Sequence, residues 1–397
     1  MTHHPTRPDD TRSTMTLAVT LMIRDEVDVL PDWLSWHVEQ GVDVFVITDN
    51  GSVDGTTQVL EEFARTTSAV VDLRHDPVHR KQQSATVTTM ARDAAVLHGA
   101  DWVVNADADE FLVAKDRTLS LREVFGRLDP AVRAFVVPVV NMVGPLAERG
   151  AGLERLVWRD GRSPDQLVEL GLLAQPTGNA IHVGDPDVTV VQGNHLVTLA
   201  AGEAPDEALA LEVLHFPWRS WQQYAHRTEV SGRAYESNPD AQPSPAHHGM
   251  RDYRRLQEGT LKAHFALRHV TDDQAAAGPF VRDTSVPDLL RGTEAGLQGT
   301  PDEVVPEDDA LVLAQLGRAL VRRDDELADL RGRLEGLVAN KGLLEATIHD
   351  LQRQVGELGA LAEGRRGMVE AYQARRVVRY ADSVGAAARR VRARLPR

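Results

Sequence analysis

The chain has 397 residues, 42% of them hydrophobic and 26% charged, with a formal net charge of −15. It contains no Cys, which excludes disulfides and thiolate-ligated metal centres, and no apolar run of about 18 residues, which excludes a membrane-spanning helix. An apolar fraction of this size excludes a wholly disordered chain, and the length predicts two or three structural units.

The first segment, 1–14, is polar and carries Pro5 and Pro8. It lacks the apolar centre of a secretory signal, so it is expected to be a disordered tail on a cytoplasmic protein. From Met15 the pattern alternates strand and helix. Leu17–Ile23 is a short apolar, partly β-branched run and is expected to be a buried strand. Pro31 opens a helix over Asp32–Gln40, with Leu30, Trp33, Leu34 and His37 on one face. Val42–Thr48 predicts a second strand, stopped by the turn-forming Asp49-Asn50-Gly51-Ser52. A helix over Thr56–Arg65, a strand over Ala69–Leu73, a helix over Ser84–His98 and a strand over Asp101–Asn105 follow. This alternation implies α/β architecture, a mostly parallel, Rossmann-like sheet with helices on both faces. In such sheets ligands bind beyond the carboxyl ends of the strands. That rule gathers Arg24–Glu26, Asp49–Gly55 and Asp107–Glu110 around one crevice.

Ala134–Val143, Val188–Gln192 and Glu212–His215 are strand-like, and Trp221–Tyr235 is helix-like. Asn238–Gly249 reads as a Pro-containing loop, 236–298 as a mixed, mainly helical extension, and 299–309 as an acidic linker.

Over 310–363 a heptad appears. Leu313, Leu320, Leu327, Leu334, Lys341, Ile348, Val355 and Ala362 alternate at 3,4 spacing with Leu316, Arg323, Leu330, Leu337, Leu344, Leu351 and Leu358. Such a seam is the signature of a coiled coil, and it predicts a long C-terminal helix joining two copies. Gly332, Gly336, Gly342 and Gly356 lower its helix propensity. The last segment, 364–397, holds ten Arg against Glu370 and Asp382, a net of +8 that leaves −23 on the remainder. Apolar residues interleave with these Arg at helical spacing. The segment is therefore expected to be an amphipathic basic tail able to lie peripherally on the inner face of a membrane. The acidic body argues against nucleic acid as a partner.

The strongest chemical signal is Asn105-Ala106-Asp107-Ala108-Asp109-Glu110-Phe111. Three carboxylates directly after a buried strand are costly unless neutralised. A hard divalent ion, Mn²⁺ or Mg²⁺, holding a diphosphate would neutralise them.

Asp49-Asn50-Gly51-Ser52-Val53-Asp54-Gly55-Thr56 resembles an element of the family 2 glycosyltransferases. In order and spacing it combines with Met22-Ile23-Arg24-Asp25-Glu26, Asp32-Trp33-Leu34 and His37, Asp107 to Leu112, and His215-Phe216-Pro217-Trp218-Arg219-Ser220. The set is similar to the GT-A fold of that family, and to the subgroup that shades into family 92 glycosyltransferases. It spans roughly 15–235. The resemblance implies metal-dependent transfer of a sugar, usually with inversion, from a nucleoside-diphosphate sugar to an acceptor hydroxyl. By family habit the acceptor would be glycan or lipid-linked, in surface polysaccharide or glycolipid assembly. It implies that Asp49 meets the nucleobase, that Arg24 and Glu26 line the nucleotide, and that the Arg80–Gln83 segment, with nucleotide-sugar-binding Gln82, precedes the helix that packs under the donor. Asp107 would face ribose and sugar, and Asp109 would bind the metal. His215 is the chosen further metal ligand and His195 its rival.

An inverting displacement also needs a carboxylate base. The family's Glu-Asp pair is absent between Leu112 and His215, which leaves Asp160, Asp165 and Glu169 as candidates. Two other readings stand beside the transferase. One is a nucleotidyltransferase, opposed by the absence of Gly directly after the first strand. The other is a non-catalytic adaptor carrying a degenerate transferase domain.

Overall fold

A computed structural model describes residues 15–77, 83–172, 175–191, 193–200, 202–236 and 248–393. The expected N-terminal tail and Gln82 lie outside these residues, as do Arg80, Lys81 and most of the Asn238–Gly249 loop.

The elements run β1 (Leu17–Ile23), α1 (Leu30–Glu39), β2 (Val44–Asp49), α2 (Thr56–Thr66), β3 (Val70–His75), α3 (Gln83–Val96), β4 (Trp102–Ala106) and β5 (Glu110–Ala114). Then come α4 (Leu121–Phe125), β6 (Ala134–Val137), β7 (Val139–Val143), β8 (Ala147–Arg149), β9 (Trp158–Asp160), α5 (Pro164–Glu169), β10 (Asn179–Val183) and β11 (Leu211–His215). The C-terminal part holds α6 (Trp221–Glu236), α7 (His248–Gln257), α8 (Leu261–Ala266), α9 (Asp272–Ala277), β12 (Phe280–Arg282), α10 (Ser285–Arg291), β13 (Glu303–Val304) and α11 (Glu307–Arg392).

The main sheet has the order β3-β2-β1-β4-β10-β6. β3, β2, β1 and β4 are mutually parallel, and β10 runs antiparallel to both its neighbours. Alternate residues of β1 serve opposite faces, as pleating requires. Leu17, Val19, Leu21 and Ile23 join the core built with Trp33 of α1 and Leu60 of α2. Ala18 packs instead with Val87, Met90, Ala91 and Ala94 of α3. The expected α/β sheet with helices on both faces is therefore present.

A second sheet, β12-β9-β7-β11-β5, stands beside it. The run Ala134–Val143, expected as one strand, is two, divided at Pro138. A residue without N–H cannot complete the ladder, and the chain there leaves the first sheet for the second. Val188–Gln192 is not a strand; its described part contributes only the isolated bridge Val190–Val197.

Two segments read from the sequence, the mainly helical extension and the acidic linker, pack on the body. The extension 236–298 packs directly on α6, with Tyr224 Oη donating to Asp252 at 2.6 Å. The acidic segment 299–309 is not a free linker. Glu303–Val304 pairs with β8, Asp302 meets Arg155 at 3.3 Å, and Gly299 N donates to Asp32 at 3.1 Å. Charge in that stretch meets intramolecular partners rather than water alone.

The contacts divide the chain into two units, 1–322 and 323–397. In the first unit the start of α11 buries Gly317 and Val321 and packs Ala310, Leu313 and Ala314 on the body. Gly317 lies against the Ala263 carbonyl, too close for any side chain. This stripe shares Leu313 with the 3,4 seam but leaves Leu316 exposed. In the second unit the helix continues without interruption to Arg392, and Leu327, Leu330, Leu334, Leu337, Leu344, Ile348, Leu351, Val355 and Leu358 are exposed. The segments expected as coiled coil and basic tail are one helix. Among the described residues no helix is long and apolar enough to cross a membrane.

Candidate active site

Parallel pairing brings the ends of β2, β1 and β4 side by side. Asp49 pairs with Ile23, and Leu21 with Ala106. Arg24 and Asp107 thus emerge from the same sheet edge. The Asp49–Thr56 turn then stitches itself to the loop after β1. Asp25 N donates to Ser52 Oγ (3.1 Å), Glu26 N to Thr56 Oγ1 (3.0 Å), Val27 N to Asp54 (3.0 Å), and Val53 N returns to Asp25 (2.7 Å). Asp25 adopts a left-handed φ of 55° inside this lattice. An unusual backbone held this firmly is a feature of sites where geometry matters. The turn motif therefore fixes where Arg24 and Glu26 stand.

Asp49 is buried. Its carboxylate accepts Ser52 N (3.0 Å) and Thr57 Oγ1, and His75 Nδ1 lies 3.7 Å away. Burial alone would raise its pKa, but those hydrogen bonds hold it below the usual carboxylate range. Both oxygens are engaged locally, and Asp49 shares the sheet edge without lining the pocket described next.

That pocket, about 260 Å³, is lined by Met22, Ile23, Arg24, Glu26, Gln83, Asp107, Ala108, Asp109, His215 and Arg227. Asp109 is its electrostatic centre. Its Oδ2 lies 3.0 Å from Arg227 Nη1, 3.6 Å from His215 Nε2 and 3.7 Å from Arg219 Nη1. Burial opposes its ionisation, yet His215, Arg227 and Arg219 hold the carboxyl far below its ordinary value. Arg219 is fully buried and also binds Glu26 and Asp28, the latter at 2.9 Å. Glu26 further accepts from Gln223 at 3.2 Å. Burial pushes Glu26 up to about 7; Arg219 pulls the other way, while Asp109 and Asp28 add to the rise. Asp107, with Gln83 and Asn194 each at 3.4 Å, is raised well above a normal Asp by burial and by neighbouring Glu110, Asp109 and Glu26.

His215 stands at the end of β11, and its Nδ1 meets Asn141 Oδ1 at 2.9 Å. Asn141 is held in that sense because its amide donates to Gln175 at 3.5 Å, and Gln175 in turn donates to the Asp160 carbonyl at 3.2 Å. A carbonyl acceptor takes a hydrogen bond from Nδ1 and turns Nε2 toward Asp109. Metal-binding imidazoles are commonly oriented in this way. Neighbouring ligands in an octahedral Mg²⁺ shell stand about 3.0 Å apart, so Asp109 Oδ2 and His215 Nε2, at 3.6 Å, would close by about 0.6 Å to share an ion. Among the described residues no group of three or more His, Asp or Glu side chains could hold an ion without help.

The structure thus brings Arg24, Glu26, Asp107, Asp109 and His215 together. His195 does not join them, because its Nδ1 turns to the Gly178 carbonyl at 3.2 Å. The three base candidates also fall elsewhere. The Asp160 carboxylate is buried in a two-point pair with Arg162 (2.8 and 2.6 Å), and only its main chain serves the site. Asp165 and Glu169 are exposed on α5 and do not line the pocket. Trp218 and Trp221 pack with Arg268 and Phe265, as core side chains do. Sequence reasoning missed Arg227, Asn141 and Asn194. Arg227 had a usable signal, since it lies on the helix that directly follows the His215–Ser220 segment.

No protein-family model matches the chain, and no curated protein matches it significantly. Several solved structures are distantly similar. Residues 1–349 of S. aureus TarS align at 11% identity over 64% of this chain and 80% of that one, with a TM-score of 0.32. The same fragment in complex with UDP aligns at 10% identity over the same shares, with a TM-score of 0.31. A mannose-1-phosphate geranyltransferase from Thermus thermophilus aligns at 14% identity over 78% of this chain and 99% of that one, with a TM-score of 0.25.

Proposed function

We propose that the chain is a glycosyltransferase that takes a sugar from a nucleoside-diphosphate donor and passes it to a hydroxyl of a glycan or lipid-linked acceptor. The observation that carries this reading is the convergence of Asp109, His215 and Arg227 within a pocket at the carboxyl ends of parallel strands. At about 260 Å³ it is smaller than ordinary ligand clefts of roughly 300–1,000 Å³. That size suits a diphosphate group rather than a whole sugar nucleotide.

Asp109 and His215 would hold Mn²⁺ or Mg²⁺, with phosphate oxygens completing its shell. When bound, such an ion acts as a Lewis acid on the departing diphosphate. The chain's own residues do the rest. Arg227, half-exposed at the mouth, and Arg24, beside the β1 end, supply fixed positive charge where negative charge builds up. Arg219 cannot reach solvent; it holds Glu26, Asp28 and Asp109 in register. Asp107, whose side-chain hydrogen bonds to Gln83 and Asn194 are long, is left to meet donor hydroxyls.

The test is thermal denaturation of the full chain with a panel of nucleoside diphosphates, with and without Mn²⁺. A ligand present at 100 times its Kd stabilises by about 2.7 kcal/mol. We expect at least one diphosphate to raise the Tm in a Mn²⁺-dependent manner, and Asp109→Asn to abolish the shift. Failure of every diphosphate would sink the proposal. It would favour the adaptor reading, which draws support from the absence of all three base candidates from the pocket.

A further inference from the structure

We propose that the C-terminal part of α11, from about Ala371 to Arg392, is a membrane-docking element that lies flat on an anionic lipid bilayer. This goes beyond the transferase reading and does not depend on it.

The heptad seam cannot continue through this segment in its own register. Extended by whole heptads, its two core positions fall on Arg365, Val369, Tyr372, Arg376, Arg379, Ser383, Ala386 and Arg390. Four of these are Arg, and a second copy in register would set like charges against one another in the seam. A different stripe replaces it. Val377, Tyr380, Ala381, Val384, Ala388 and Val391 follow at offsets of 3, 4, 7, 11 and 14 from the first, which places them on one face of a helix. Val377, Tyr380, Val384 and Val391 are all well exposed. Val377, Ala381, Val384, Ala388 and Val391 keep the 4,3 spacing of the seam but stand out of its register, and the side chains are small, Val and Ala in place of Leu.

The charge around the stripe points to one kind of occupant. From Arg375 to Arg397 there are eight Arg and a single acid, Asp382. Arg376 and Arg392 border the apolar face on opposite sides, and Asp382 lies away from it. A helix is only about 10–12 Å across, so every Arg on it sits near one Debye length of a surface it rests on. The apolar face is too modest to bind lipid strongly alone. A shallow apolar face combined with a polybasic array is the two-signal arrangement that gives stable peripheral attachment.

The test is sedimentation of the full chain with phosphatidylcholine vesicles, with and without about 30% phosphatidylglycerol, the anionic component the electrostatic attraction requires. Binding is expected only with the anionic lipid, weakening as salt rises. The double variant V384D/V391D should bind at least tenfold more weakly, while its Tm and its mass by light scattering stay those of the wild type. No binding to anionic vesicles, equal binding to neutral ones, or unchanged binding by the double variant would each overturn the proposal. So would a halving of the mass by V384D/V391D, since the face would then be an interface between copies.

Discussion

Arg227 Nη1 sits 3.0 Å from Asp109 Oδ2, the same oxygen that His215 Nε2 faces at 3.6 Å. A guanidinium therefore occupies the flank of the carboxylate that a metal ion would approach. Arg227 is partly exposed on α6, so it can leave when a diphosphate offers it other oxygens. A partly exposed ion pair contributes about 1 kcal/mol at most. Arg227→Met is accordingly expected to tighten Mn²⁺ binding in the absence of nucleotide by roughly fivefold, and to weaken nucleoside-diphosphate binding. Titration calorimetry of Mn²⁺ alone reads the first effect; weaker Mn²⁺ binding by the variant would show that Arg227 does not compete with the ion.

Asn141 does not line the pocket, yet its amide oxygen accepts from His215 Nδ1 and orients the imidazole. Loss of such an outer partner typically costs about 10–100-fold in metal affinity. Asn141→Leu should show about that loss in Mn²⁺ affinity, and Asn141→Asp, which keeps the acceptor, should recover most of it. Equal affinities in Asn141→Leu and wild type would mean that the imidazole is held by something else.

Arg219 is fully buried among Glu26, Asp28 and Asp109. Removing one partner of a buried ionic cluster leaves uncompensated charge and costs about 3–5 kcal/mol. Arg219→Met is expected to lower unfolding free energy by that amount in urea at neutral pH. A change below about 1 kcal/mol, the range of an exposed pair, would contradict the cluster described above.

His37 is buried beneath Trp33, its Nδ1–H donating to the Trp33 carbonyl at 2.8 Å. Burial pushes its pKa down to about 4 from 6.5, with the Trp33 bond opposing. The folded state therefore resists a proton that the unfolded chain accepts. This contribution to stability is complete above about pH 6.5 and is lost as pH falls toward 4, roughly 3 kcal/mol in all. His37→Gln should flatten that part of the stability–pH curve; a curve that keeps its slope would assign it to other groups.

Much of the fold was legible because it rests on local pattern. β1, β2 and β4 are apolar runs ended by turn residues, and the helices between them carry one apolar face. The strand ends after β1 and β4 were legible for the same reason, since parallel order alone places Arg24 beside Asp107. What the sequence hid are contacts set by distant packing. Glu110 and Asn179 are 69 residues apart, and Arg227 and Asp109 are 118 apart; no spacing rule links such pairs. Asp160, Asp165 and Glu169 looked plausible only by residue type. Arg162, two residues along, neutralises the first, and helix α5 turns the other two toward water. The start of α11 misled differently, because Leu313 fits both the heptad and the body-facing stripe.

Pro138 does more than end a strand. Its carbonyl accepts Val213 N at 2.9 Å, and Asn141 hangs from the same backbone three residues later. One continuous stretch of peptide thus serves as the last rung of the six-stranded sheet and as the tether of the imidazole in the other. Loosening either layer slackens both, so the chemistry of this molecule and its thermal endurance share a single point of failure.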